Sequence, residues 1–168
     1  MPAREDENSP RRILALDVGS RTIGLAVTDP LGITAQGLPT IRRQNKRHDL
    51  AALAEVITHY NVAELVVGLP LRMSGAEGRQ SGKMRDFVAM LQQNFTHPIH
   101  LWDERLTSVE ANRLLRQTDM SIKKRAAVVA QLAASLILQS WLEARSLAQQ
   151  SANAESHHEE SSPSHHEE

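Results

Sequence analysis

The sequence predicts an α/β domain built on a mixed five-stranded sheet that is flanked by helices. In the first half, three apolar stretches separated by short turns predict three antiparallel strands. From Asp49 onward, apolar residues at helical spacing alternate with two short apolar runs, which predict a fourth and a fifth strand. Because helices cross over between them, these two strands are expected to run parallel within the sheet. The predicted order of elements is β-β-β-α-β-α-β-α-α.

The opening hairpin, ILALDVGSRTIGLAVT over residues 13–28, contains the first candidate functional residue. Asp17 follows four apolar residues of a predicted central strand, where a carboxylate is costly to bury unless it is paired or binds a metal. Gly19 is expected to give the turn a positive φ, and Gly24 to allow close approach of another backbone or of a ligand. An ordinary hairpin with a turn-stabilising Asp is the alternative. The rest of the chain favours a metal-binding or phosphate-facing carboxylate.

The third strand and the first helix follow a second turn. The turn is predicted at Pro30–Gly32, and the strand over Ile33–Ile41. The first helix is predicted from Asp49, and Asn61 suits its end. Its apolar residues recur at helical spacing: Leu50, Leu53, Val56, Ile57 and Tyr60.

Short strands and helices alternate in the second half. The run Leu65–Val67 predicts a buried strand, and the glycine-containing loop 71–82 after it is expected to be basic and mobile. A helix with an apolar face then leads to a strand over Pro98–Trp102. That face consists of Met84, Phe87, Val88 and Leu91.

Two helices are predicted after the fifth strand. Thr107 or Ser108 suits the N-cap of the first, and Ser121 suits the N-cap of the second. The second helix has closely spaced alanines along its apolar face, which predicts tight packing on the sheet.

Composition divides the chain into a flexible leader (1–11), one domain (12–149) and a disordered tail rich in His, Glu and Ser (150–168). The absence of cysteine excludes disulfides and Cys-ligated zinc. The N-terminus lacks the apolar core of a signal peptide, and we find no apolar run near the roughly 20 residues that a bilayer requires. We therefore expect a cytoplasmic protein that does not bind membranes.

The net charge of −1 hides an asymmetry between the body and the tail. Residues 151–168 contain five Glu and no Lys or Arg, so the preceding 19 basic and 15 acidic residues carry a net charge of +4. A mildly basic body is compatible with binding nucleic acid but does not require it. Any single basic cluster is also typical of a solvated surface.

Two carboxylates follow two different predicted strands. Asp17 comes after ILAL, and Glu104 comes shortly after HLW. The ends of strands at one edge of a sheet converge on one crevice, where carboxylates repel one another unless cations neutralise them. Mg²⁺ suits such a group of oxygen ligands, and paired divalent ions promote phosphodiester cleavage. Taken alone, Glu104 is better explained as a helix cap or as a salt-bridge partner of Arg105, but together with Asp17 it favours a metal site.

Four segments of the sequence resemble the YqgF/RuvX family in order and spacing: LALDVGSRTIGLAVTD, VVGLPLRMSG, WDERLTSVEA and AASLILQSWLE. The resemblance covers about residues 12–145. It implies an RNase H-like fold similar to that of the RuvC resolvases. It also implies a nuclease dependent on Mg²⁺ or Mn²⁺ in a two-metal site. The family is associated with processing the 5′ end of pre-16S rRNA during ribosome biogenesis, which implies pre-rRNA and ribosomal precursor particles as partners.

The resemblance also implies roles for individual residues. Asp17 matches the family's first-strand catalytic and metal-binding Asp, and Glu104 matches the Glu of its DER motif. The third carboxylate of the family lies on the last helix, where this chain has Ala130. Gln131 brings no charge, and Glu143 would lie roughly 220° further round the helix. The metal site is therefore expected to have two of its three carboxylates.

Three functional hypotheses follow. The first is a nuclease acting on structured RNA or on branched DNA such as a Holliday junction, as a monomer or homodimer. Its candidate phosphate contacts are Arg21, Arg72, Arg105, Lys123 and Lys124. The second is a nucleic-acid-binding pseudo-nuclease, weakened or inactive because of Ala130. The third arises because DVGSRTIG also resembles the first phosphate loop of actin-like ATPases and sugar kinases, but the second Asp-Gly loop that those proteins need is not visible here.

Overall fold

The computed structural model describes residues 11–69, 77–103 and 121–159. These residues contain five strands: β1 (Arg12–Val18), β2 (Thr22–Thr28), β3 (Ala35–Arg42), β4 (Val62–Leu69) and β5 (Ile99–Asp103). They also contain three helices: α1 (Lys46–His59), α2 (Glu77–Asn94) and α3 (Ile122–Glu159). The helix predicted after Thr107 or Ser108 lies outside the described residues.

All five strands form one sheet in the order β3-β2-β1-β4-β5. β1 pairs with β2 and β2 with β3 in antiparallel orientation, whereas β1 pairs with β4 and β4 with β5 in parallel orientation. The predicted mixed sheet is therefore confirmed. β1 lies at its centre, so the residues of this strand are covered on both faces and flanked on both edges.

Helices cover both faces of the sheet. Because successive side chains of a strand point to opposite faces, alternate residues pack against the helices of different faces. Leu14 and Leu16 of β1 point to one face and pack with Leu53 of α1 and Leu91 of α2. The alternate residues point to the other face, where they pack with α3. That second core consists of Ile13, Ala15, Ala26, Val66, Ala134, Ile137, Leu138 and Trp141. Three of these eight residues are alanines, two on the strands and one on α3, which allows the backbone of α3 to lie close to the sheet.

The first helix begins earlier than predicted. Its N-cap is Asn45, whose side-chain oxygen accepts a hydrogen bond from the His48 N–H at 2.9 Å. The prediction of a start at Asp49 is wrong, because the polar residues before it are held in the first turn by this cap. The predicted end is confirmed, since Asn61 takes a left-handed φ of 50° directly after the helix.

The predicted loop 71–82 is wrong for its second half, because α2 already begins at Glu77. Each interior glycine costs a helix about 1 kcal/mol, which is why this stretch reads as a loop. The helix continues without a break into the segment whose Met84 and Phe87 are buried in the core. That burial offsets the weak local propensity.

The two turns of the meander are formed differently from one another. Gly32 has a φ of 72° in the second turn, as expected for glycine, and its N–H donates to the Asp29 carbonyl. Gly19 does not take a positive φ, so that prediction is wrong. A Cβ at this position would lie 3.2 Å from the Thr22 carbonyl oxygen, to which the Gly19 N–H donates. Glycine at position 19 gives room for this turn to close.

The last helix, α3, is longer than predicted. Residues 150–159, which were expected to belong to a disordered tail, continue this helix. By length and composition alone, the stretch Ile122–His157 would suffice to cross a membrane. Ile137 and Leu138 in its middle are however buried against the sheet, where they belong to the second core, whereas Ile122 and Leu147 are exposed. The side chains of residues 151–157 are exposed.

Deleting residues 151–168 is expected to change the melting temperature by less than about 2 °C, because the described part of this segment buries nothing. A chain ended after Gln139 is the matched contrast, since it also lacks the buried Trp141. This shorter chain should melt far lower in a thermal scan. A drop of many degrees for the first deletion would mean that the tail docks on the domain.

Candidate functional site

Asp17 lies at the carboxyl end of the central strand, and its register partners on both neighbouring strands are glycines. The sequence predicted that Asp17 follows a strand, but Asp17 is the second-last residue of β1. Its register partners are Gly24 on β2 and Gly68 on β4, and Gly68 pairs in turn with Trp102 on β5. The glycines keep the side chains of the two neighbouring strands away from this carboxylate, and the space beside Gly24 is occupied by the backbone of α3.

The face on which Asp17 lies follows from the alternation of β1. Ile13 and Ala15 pack against α3, so Asp17 is on the same face and is partly buried. The preceding row on this face contains Ala26, Ala15 and Val66, and the next contains Gly24, Asp17 and Gly68. On the two strands that flank β1, the side chains of this face are therefore replaced by glycines at the row of the carboxylate.

The backbone of α3 lies directly against Gly24 of the sheet. A Cβ on Gly24 would lie only 1.9 Å from the carbonyl oxygen of Ala130 and 2.9 Å from its Cα. The expected close approach at Gly24 is therefore made by another backbone. Because Gly24 is the register partner of Asp17, position 130 lies next to the row that contains this carboxylate. Ala130 is itself buried.

Polar contacts fix α3 against the sheet on both sides of Ala130. Toward the start of the helix, the Thr40 hydroxyl donates to the Ala127 carbonyl at 2.6 Å. Toward its far end, Arg145 donates to Glu64 at 2.9 Å and stacks over Trp141 at 4.8 Å. These contacts hold the helix in register with the strands.

The Glu64 carboxylate that accepts the hydrogen bond from Arg145 is ionised. Partial burial raises its pKa, but hydrogen bonds from Arg145 and His100 outweigh this and hold the pKa below its usual value. Because ionised Glu64 attracts Arg145, this anchor of α3 is complete at neutral pH.

Basic residues surround the same end of the sheet. Arg21 lies in the turn between β1 and β2, four residues after Asp17, and is exposed. Lys123 and Lys124 are exposed in the first turn of α3. The N-terminus of a helix carries a partial positive charge and attracts anions. This edge therefore combines the partly buried Asp17 carboxylate with exposed basic side chains.

Three predicted site residues lie outside the described residues: Glu104, Arg72 and Arg105. β5 ends at Asp103, the residue before Glu104. Asp103 pairs with Leu69 of β4, one position beyond the row that contains Asp17. Within the described ranges, no group of three His, Cys, Asp or Glu residues is close enough to hold a metal ion.

Sequence reasoning missed two residues that hold this end of the sheet together. Arg43 donates to the Gly19 carbonyl and to the Asp49 carboxylate, and Asp49 is buried. The sequence showed Asp49 only as the residue at which the period changed. Asp49 follows three other polar residues, Lys46 to His48, so no local signal marked it as the one that is buried and therefore needs a partner.

Mixed α/β sheets of this order, with a carboxylate at the end of the central strand and helices on both faces, define the RNase H-like class. The chain belongs to the RuvX family, described as Holliday junction resolvase, whose sequence profile matches residues 11–144. A resolvase is a nuclease, so membership of this family assigns the chain to the hydrolases.

Individual relatives are similar over most of the chain. The "Putative pre-16S rRNA nuclease" of Koribacter versatilis is 61% identical over 136 residues, which cover 81% of this chain and 89% of that protein. The protein of the same name from Moorella thermoacetica is 52% identical over 132 residues, covering 79% and 94%. Among solved structures, T. thermophilus RuvC in complex with a Holliday junction substrate aligns with a TM-score of 0.48 at 13% identity, covering 80% and 95%.

Proposed function

We propose that this chain is a divalent-metal-dependent nuclease that hydrolyses phosphodiester bonds at the 5′ end of pre-16S rRNA, on ribosomal precursor particles in the cytoplasm. The observation that carries the proposal is the position of Asp17 between two glycines at the carboxyl end of the central strand. The names of the two relatives above support the choice of RNA substrate.

The residues fit a metal site with two carboxylates, one fewer than the three that the family resemblance implies. Asp17 and Glu104, the residue that follows β5, would hold Mg²⁺ or Mn²⁺, since both ions prefer oxygen ligands. Position 130 contributes only a methyl group next to the row of Asp17. When bound, such ions neutralise the phosphate and activate the attacking water.

The chain's own basic residues have a separate task, which is to bind and orient the substrate backbone. Arg21, Lys123 and Lys124 are exposed at the end of the sheet where Asp17 lies. Arg72 and Arg105 are proposed as further phosphate contacts. Contacts of this kind set the position of the nucleic acid but do not read its sequence.

A second candidate function is nucleic-acid binding with little or no cleavage. The specific observation in its favour is Ala130, which lies next to Asp17 and cannot bind a metal. Branched DNA is the alternative substrate for the nuclease, because the family is described as Holliday junction resolvase.

The test is a cleavage assay of the purified chain with Mg²⁺ and with Mn²⁺, on a pre-16S rRNA leader and on a four-way DNA junction. We expect metal-dependent cleavage of the RNA that disappears with a chelator. Tight binding of RNA without cleavage at any metal concentration would favour the pseudo-nuclease. Cleavage confined to the junction would overturn the choice of RNA.

Binding of RNA to this surface is expected to weaken steeply with salt. Each phosphate neutralised by Lys or Arg contributes roughly 0.7–0.9 to the slope of log affinity against log salt concentration. The triple variant Arg21→Ala, Lys123→Ala, Lys124→Ala should therefore lower the slope by about 2 in filter-binding titrations. An unchanged slope would show that the nucleic acid binds elsewhere.

A further inference from the structure

Arg43, the residue directly after β3, binds the turn that connects Asp17 to β2. Its side-chain Nη1 donates to the Gly19 carbonyl at 2.7 Å, and its backbone N–H donates to the Arg21 carbonyl at 2.8 Å. The turn is closed from inside by the Gly19 N–H, which donates to the Thr22 carbonyl at 2.8 Å. Arg43, which follows β3, therefore holds both ends of this turn.

The Arg43 guanidinium is itself held by two other elements. Its Nε donates to the Asp49 carboxylate of α1 at 3.3 Å, and its Cζ lies 5.4 Å above the centre of the Phe87 ring of α2. A cation over an aromatic face is attracted by the ring. The guanidinium thus has partners on two helices and in one turn, which leaves it little freedom to move.

Asp49 is suited to fix this guanidinium rather than to serve as a surface charge. It is only 3% exposed, and its carboxylate also accepts the Gln44 N–H at 3.1 Å and lies 3.3 Å from His48 Nδ1. A buried carboxylate with several donors is held in a fixed orientation. The planar fork of arginine offers Asp49 and Gly19 donors in a fixed geometry, whereas the lysine ammonium is a compact charge on a flexible chain.

We propose that Arg43, held by Asp49, is a positioning residue for the Asp17 site. It fixes the turn that begins two residues after Asp17 and contains Arg21, so it sets where the carboxylate and the phosphate contact lie relative to each other. The inference rests on the proposed function for its effect on cleavage. Its effect on the turn itself does not depend on that function.

The experiment compares four single variants with the parent. Arg43→Ala removes every side-chain contact, Arg43→Lys keeps the charge but not the fork, and Asp49→Asn keeps the shape but not the charge. Arg42→Ala is the matched control, because Arg42 is the neighbouring residue, carries the same charge and has an exposed side chain. For each variant we would measure kcat and KM for RNA cleavage, and hydrogen exchange of the amides from Gly19 to Thr22.

We expect Arg43→Ala to lower kcat by about 10- to 100-fold, which is the usual effect of a small displacement of a reacting group. Arg43→Lys and Asp49→Asn should fall between this variant and the parent. Exchange at Gly19 should become faster in Arg43→Ala, whereas Arg42→Ala should keep the kcat and the exchange of the parent and change at most KM.

Two outcomes would overturn the positioning role. One is unchanged exchange in the turn of Arg43→Ala; the other is a loss of kcat that Arg43→Lys restores completely, because charge alone would then suffice. If the parent cleaves no RNA while Arg43→Ala still exchanges faster at Gly19, the proposed function fails and the structural part of the inference stands. A thermal scan of each variant separates loosening of the turn from global unfolding.

Discussion

Replacing Gly24 with alanine is expected to lower the free energy of unfolding by about 4 kcal/mol or more, the range reached only by severe core mutations. The new Cβ would lie 1.9 Å from the carbonyl oxygen of Ala130 and 2.3 Å from its carbonyl carbon. Both are backbone atoms, so no side chain can rotate away. The helix α3 would have to leave the sheet, and its buried residues Ile137 and Leu138 would lose their contacts with it.

Two other glycines provide matched controls for this prediction. At Gly37 a Cβ would lie 2.8 Å from the side chain of Gln131, which can shift, so Gly37→Ala should cost about 1 kcal/mol or less. At Gly82, inside α2, a Cβ meets nothing within 4 Å, and Gly82→Ala should stabilise the helix by up to about 1 kcal/mol. Urea unfolding followed by circular dichroism gives all three values. If Gly24→Ala were as stable as the parent, α3 would not cross the sheet at Gly24.

The sheet could be predicted from the sequence because its signals are local. The four apolar residues before Asp17 and the change of period near Asp49 are visible within short windows of sequence. The parallel pairing of β4 and β5 follows from the helices between the strands. Asp17 stands out for the same reason, since a carboxylate at the end of an apolar run contradicts the pattern around it.

Contacts between distant parts of the chain left weaker signals. The sequence predicted that a backbone or a ligand lies close to Gly24. Only the packing of α3 in the structure shows that it is the backbone of Ala130. The burial of Asp49 depends on Arg43, which reaches it from the end of β3. Neither pairing has a periodicity of its own, so the sequence does not name the partners.

The length of α3 was underestimated for a different reason. Its last residues bury nothing, and a sequence with little to bury is usually assigned to disorder. A helix that is already formed extends at low cost, because each added residue gains one hydrogen bond without a new nucleation step. The residues before this extension pack on the sheet and supply that nucleus.

Two substitutions at the proposed metal site are expected to change cleavage in opposite directions. Asp17→Asn keeps the shape of the side chain but removes a metal-binding charge, so metal-dependent cleavage should fall by about 100-fold or more. The fold should survive, because asparagine fits between Gly24 and Gly68 as aspartate does. Ala130→Asp places a new carboxylate next to the row of Asp17, and it should raise cleavage or lower the metal concentration required.

Stability measurements distinguish a gained metal ligand from a nonspecific charge. Ala130 is 5% exposed, so without metal the new carboxylate of Ala130→Asp is poorly solvated, repelled by Asp17, and should lower the melting temperature. Mg²⁺ or Mn²⁺ should recover that loss, because a ligand that binds only the folded state stabilises it. Gln131→Asp is the matched control, since it adds the same charge about 100° round the helix. If Ala130→Asp responds to metal no more than this control does, position 130 does not supply the third ligand of the site.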